Sequence, residues 1–247
     1  MRKILTLLLV IGITNSTGIF AQTDQSLQAS ELTHIIVNFD ADKGSLTRFY
    51  AVENSPERTN RLKKFYSDYL SKLTNTKFES LGQEAKVDYI LFQRRLKSEL
   101  DLLLEAEKKH ELTKQYFPFA NSIYELEKTR RRGATIDGEK EARQLSDIQK
   151  EISQSIVALK KSTDLEAGLS EYSSRNARML QDALRSYYRF YFGYDPMFTW
   201  WAEKPYKKVD SLLSAYSSLL KSKAAASAQK DDGSGIIGNP IGAVELK

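Results

Sequence analysis

The chain has no cysteine, two histidines and five prolines in 247 residues. Without cysteine it can form no disulfide, so its stability has to come from burial. With two histidines and no thiol, nucleophile-plus-base schemes have few possible members. Serine is abundant, yet no serine stands in a G-x-S-x-G elbow. Carboxylate neighbours such as Glu125 with Glu127, or Asp231 with Asp232, read as solvated polarity. No segment alternates apolar and polar residues over strand length, so no glycine loop follows a strand in the way a phosphate cradle requires.

Long apolar runs are also scarce. The one candidate lies in the opening MRKILTLLLVIGITNSTGIFAQ, where Arg2 and Lys3 precede an apolar stretch from Ile4 to Ile13 and small and polar residues lead to Ala21. That stretch is too short for the ~20 residues of a bilayer-spanning helix and has the form of a secretory signal peptide over residues 1–21, cleaved after Ala21. Periplasmic or secreted placement is the expectation, with no membrane span after signal removal. The formal charge is +5, of which the leader holds two units, and acidic and basic groups are mixed along the whole chain. A nucleic-acid footprint would instead gather basic residues on one face.

Helical periodicity is what the chain does have. Leu62, Phe65, Tyr66, Tyr69, Leu70 and Leu73 form an i, i+3, i+4, i+7 stripe behind Ser55-Pro56, a capping residue followed by proline at the first helical position. Further helices are expected over about Ser26–Asp40, Gln83–Glu111, Phe119–Arg132, Asp137–Lys161, Ser173–Phe192 and Pro205–Ala226, with loops at Gly44, Gly82, Gly133 and Gly193. The fold class is all-α: an antiparallel bundle of about seven helices over residues 22–226, because the connections are short. Residues 227–247, with DDGSGIIGNPIGAVELK, read as a flexible linker, irregular from Gly233 to Gly242.

His110-Glu111-Leu112-Thr113-Lys114 is the string nearest to a metal motif. It is HExxH with lysine in place of the second histidine, and a charged ammonium cannot ligate zinc. No catalytic or metal residue is therefore assigned. His34 is expected to be a partly buried helix residue. The densest feature is RSYYRFYFGYDPMFTWWAEKPYKKVD, which crowds aromatic residues around Gly193 and Pro196. Those rings can be the wall of a cleft or the filling of a helix–helix corner. The candidate surface comprises Tyr194, Phe198, Trp200, Trp201 and Tyr206, with Ser234 and Gly235 of the glycine-rich stretch.

Several strings occur in one order along the chain: GSLTRFYAVENSPERTNRLKKFYSDYL, VDYILFQRRLKSEL, an arginine-rich loop before an Asp-led helix, FTWWAEKPYKKVDSLL and DDGSGIIGNPIG. In that order they resemble the domain-of-unknown-function 885 family of exported bacterial proteins, over essentially the whole mature chain. The resemblance implies a large, mostly helical protein similar to HExxH zinc metallopeptidases, with zinc bound in a C-terminal half. This chain matches the N-terminal half alone, so the resemblance implies a portion inactive by itself, whose partner is a missing or separately encoded catalytic half. Helices built to pack on that half would leave apolar surface uncovered and prone to self-association. Two other readings stand beside this one: a complete periplasmic binding module that uses the aromatic surface for peptide or glycan, and an inert structural bundle.

Overall fold

The computed structural model describes residues 29–162, 165 and 167–227. Among them are seven α-helices and no strand: α1 (Thr33–Phe49), α2 (Pro56–Thr74), α3 (Gln83–Thr113), α4 (Ala120–Arg131), α5 (Gly138–Lys161), α6 (Ala167–Tyr191) and α7 (Pro196–Ser227). The all-α expectation is met. The leader and the glycine-rich stretch, with Ser234 and Gly235, lie outside the described residues.

Two helix starts follow local rules. Ser55 accepts a hydrogen bond from the Arg58 amide at 3.3 Å ahead of Pro56. Asp137 Oδ1 accepts from the amides of Glu139 and Lys140 at 3.0 and 3.1 Å. The α2 stripe buries Leu62, Phe65, Tyr66, Tyr69 and Leu73, and α5 buries Leu145, Ile148, Ile152 and Leu159. At the end of α4, Gly133 takes φ +62°, the left-handed conformation that closes a helix.

Four expectations are corrected. Gly44 is not a loop: α1 runs through it to Phe49, held by Phe39, which is fully buried, and by the packing of Leu46. His34 is exposed on the outer side of α1. The sixth helix begins at Ala167 and not near Ser173, because its early serines are interior. Ser170 Oγ donates to the Leu220 carbonyl and Ser174 Oγ to the Ser217 carbonyl, both at 2.9 Å. The last helix begins at Pro196, and Pro205 lies inside it. Proline in a helix interior costs about 3 kcal/mol. Phe198, Ala202, Val209, Leu213, Tyr216 and Leu220 stay in phase across it and are all fully buried, which offsets that cost.

The helices enclose two cores. The smaller lies among α1, α2 and α3 around Phe39, whose ring stacks on Phe65 at 5.2 Å and meets Tyr69 and Phe92 edge-on. Lys63 with Glu107 and Tyr66 with Glu99 set α2 antiparallel to α3. The larger core is a four-helix arrangement of α4 to α7. Successive helices there run in opposite directions, so α5 and α7 are parallel, and both ends of the pair are in contact. At one end Gly138 touches Met197 and Phe198; at the other Lys223 donates to the Ser162 carbonyl. The segment between α1 and α2 joins the cores. Val52 enters the larger one, Tyr124 donates to the Asn54 carbonyl at 3.2 Å, and Arg131 bridges Glu57 and Glu127 while lying over the rings of Phe49 and Tyr50.

Gly138 leaves no room for a side chain. A Cβ there would lie 2.6 Å from the Met197 carbonyl carbon and from the Phe198 nitrogen. Gly138→Ala is expected to destabilise the fold by about 1–3 kcal/mol through overpacking, measured by urea denaturation. A change within error would mean that the two helix starts are not in contact.

Candidate functional site

The aromatic-rich turn between α6 and α7 is fixed by its own hydrogen bonds. Gly193 takes φ +80°, and its amide donates to Thr199 Oγ1 at 2.9 Å. Asp195 Oδ1 accepts from the Phe198 amide at 2.8 Å, a cap that starts α7 directly before Pro196. The Thr199 hydroxyl donates to the Asp195 carbonyl at 2.7 Å. The first turn of α7 is thereby rigid, and it determines where each ring points.

The rings divide into two sets. Tyr187, Tyr188, Tyr191 and Phe198 are buried, with Tyr187 and Phe198 edge-to-face at 5.6 Å. Tyr206 stacks on Tyr188 with centroids 3.6 Å apart. Phe198 and Tyr206, two of the candidate surface residues, are therefore packing residues. Tyr194, Trp200 and Trp201 belong to the other set, at 86%, 80% and 41% exposure. The packing reading describes the buried rings, and Tyr194, Trp200 and Trp201 are the candidate surface residues that remain on the outside.

Beneath the buried set lies a carboxylate that sequence spacing does not single out. Glu141 on α5 is 7% exposed and accepts a hydrogen bond from the Tyr187 hydroxyl, while the Tyr191 hydroxyl donates to the Ala134 carbonyl at 3.1 Å. Burial, then the bond to Glu141, pushes the Tyr187 hydroxyl far above its usual pKa. Burial first and Glu203 second push Tyr188 up to about 12.

Trp200 and Trp201 of the exposed set rim an open groove of about 1160 Å³ between α5 and the start of α7, and Tyr194 is not part of its lining. Trp200, Trp201 and Thr199 line it from α7, and Arg143, Asp147 and Lys150 from α5. Sequence reading missed the α5 side. Those residues look like any solvated helix face, and the sole available signal is their i, i+4 and i+3 recurrence on one side of the helix.

The HExxH-like string sits in the last turn of α3. Lys114 pairs with Glu111, and burial lowers the pKa of half-buried His110, whose Nδ1 has no hydrogen-bond partner. Among the described residues no three His, Cys, Asp or Glu side chains come together. Searches against protein-family models, curated proteins and solved structures find no match to the chain.

Tyrosine burial sets a pH dependence. Tyr66, Tyr124, Tyr187 and Tyr216 have their hydroxyls pushed well above the ordinary range of about 10, mainly by burial. A folded-state pKa above the unfolded one stabilises the fold below the unfolded value and is lost as pH rises through the folded value, since the unfolded chain then holds fewer protons. Stability is expected to fall steeply above about pH 10. Part of the tyrosinate absorbance should develop in step with loss of helical circular dichroism. Complete titration of all tyrosines with the helices intact would contradict these burials.

Proposed function

We propose that this chain is the helical, non-catalytic portion of a larger exported protein similar to the zinc metallopeptidases. The observation that carries the reading is an uncovered face on α3. Val87, Ile90, Leu91, Leu102 and Leu112 are 43–63% exposed, and at 100° per residue they fall within about a third of the helix circumference. Arg94, Ser98, Asp101, Lys108 and the Glu105–Lys109 pair share this sector, so the apolar residues fall into a patch from Val87 to Leu91 and the separate side chains of Leu102 and Leu112. The small core takes from α3 the buried side chains of Ala85, Phe92 and Leu96, with Tyr89, Leu100 and Leu103 packed against it, and further on α3 meets α6, where Tyr172 donates to the Ala106 carbonyl at 3.4 Å. Apolar residues grouped on one long helix suit a permanent partner better than solvent. The ordered strings from GSLTRFYAVENSPERTN to DDGSGIIGNPIG supply the identity of that partner, the half that carries HExxH.

A second reading is favoured by a different observation, the exposure of Trp200 and Trp201 beside a large groove. On this reading the chain recognises a ligand at the α5–α7 groove, whether or not it also docks a catalytic half.

The first reading predicts that the purified chain neither binds zinc stoichiometrically nor cleaves peptides. It also predicts that mixing with a chain carrying the HExxH half yields a complex with activity that neither shows alone. Replacing Ile90 and Leu91 together by Ser should leave the melting curve within about 0.5 kcal/mol per site of the native one, as for surface positions, and abolish the complex. Zinc-supported activity of the chain alone, or no complex on mixing, would refute the reading.

A further inference from the structure

We propose that the groove between α5 and α7 binds a neutral, extended oligosaccharide, an inference that rests on the second reading above, that the groove is a recognition site. The first argument is the shape of its rim. Trp200 is 80% exposed on the first turns of α7, with Trp201 beside it at 41%. An indole offers a flat apolar face and a single polar N–H. A pyranose ring presents a complementary face of C–H bonds, with hydroxyls at its edge.

The second argument is charge. The groove is lined by Glu139, Asp147 and Glu203 and by Arg143, Lys150 and Lys204, three groups of each sign. Most are already paired with a neighbour: Glu139 with Arg143, Asp147 with Lys150 at 2.9 Å, and Glu203 with Lys207 at 2.6 Å. A balanced lining has no net field to draw in a polyanion or a polycation. Each of these pairs engages one carboxylate oxygen and leaves the other to accept, and the Arg143 guanidinium keeps further N–H donors. Adjacent acceptors and donors of this kind match vicinal hydroxyls. From Glu139 to Lys150 the α5 side extends about 16 Å along the helix axis, long enough for several sugar rings in a row.

The third argument concerns peptides. An extended peptide is held by adding a strand to a sheet edge, and a helical one by an apolar groove. The described residues contain no strand, and the α5 wall of the groove carries the exposed pairs of Glu139 with Arg143 and Asp147 with Lys150. Neither of these two ways of holding a peptide is provided; a proline-rich segment laid against aromatic rings is a further peptide mode, and the experiment below includes it.

The chain offers a direct readout, because it has two tryptophans and both line the groove. The full chain would be titrated with cellotetraose, chitotetraose and maltotetraose while tryptophan emission and acrylamide quenching are followed. An uncharged, proline-rich octapeptide serves as the peptide arm. At least one sugar is expected to shift the emission to shorter wavelength and protect it from quencher, with an affinity insensitive to salt. Trp200→Ala and Arg143→Ala should each weaken that binding tenfold or more at unchanged helical circular dichroism and melting temperature. No shift with any of the sugars at millimolar concentration overturns the proposal. Binding of the peptide and of no sugar would overturn it while leaving the groove a recognition site; a response to neither would remove both. Emission that changes with protein concentration alone would mark the rim as a self-association surface, and would also overturn it.

Discussion

The close approach of α7 to its two neighbours is the constraint on which the rest of the structure depends. On one side Gly138 lets the start of α5 meet the backbone of Met197 and Phe198, where any Cβ would clash. On the other, Ser170 and Ser174 of α6 give their hydroxyls to carbonyls of α7, and Ser217 returns one to the Ser174 carbonyl at 3.0 Å. Small side chains at these contacts keep the helices near, and the hydroxyls satisfy themselves in the interior, where an unpaired polar group would cost about 1–3 kcal/mol. Large rings fill the wider space toward the α6–α7 turn: Tyr187, Tyr191 and Phe198, with Glu141 beneath them.

The position of α7 fixes the groove. With Phe198 driven inward, residues two and three further along the helix are rotated by 200° and 300° from it. Trp200 therefore has to face solvent, and Trp201 lies at the margin. Exposure of these rings is a geometric consequence of the buried one, and the α5 side of the groove is held at its distance by the same Gly138 contact. The second core meets the first at residues 50–57, where Val52 is buried and Arg131 is enclosed between Glu57 and Glu127, and again where Tyr172 of α6 donates to the Ala106 carbonyl of α3. Removing one partner from such an enclosed ion set is costly, because the remaining charge stays buried.

Much of this was legible in the residues. The α2 and α5 stripes, the Ser55-Pro56 and Asp137 starts and the Gly133 stop all follow from spacing and capping, and each is found in place. What failed has a common cause: a local breaker outweighed by a tertiary contact that spacing does not encode. Gly44 and Pro205 read as punctuation, yet the stripes on either side of them stay in phase, and burial of those stripes overrides the local cost. The start of α6 was placed late, near Ser173, because the acceptors that hold Ser170 and Ser174 are 50 and 43 residues away in sequence. Starting α7 at Pro205 also removed the helical phase of Phe198, Trp200 and Trp201. Without that phase, neighbouring rings could not be sorted into core and rim. The α5 side of the groove was not legible, since its i, i+4 and i+3 recurrence looks the same on an ion-paired helix face whether or not a groove runs along it.

A helix that begins at Pro196 and continues through Pro205 thus carries the core, the turn and the rim together, and it places an open groove beside α5, away from the exposed apolar residues of α3. Amide hydrogen exchange over residues 196–208 tests this most directly. The account predicts slow exchange from Trp200 onward, continuous with the protected amides around Val209 and Leu213. Exchange as fast as that of an open loop up to Pro205 would contradict it, since Trp200 and Trp201 would then have no fixed place beside α5 and the groove would not exist.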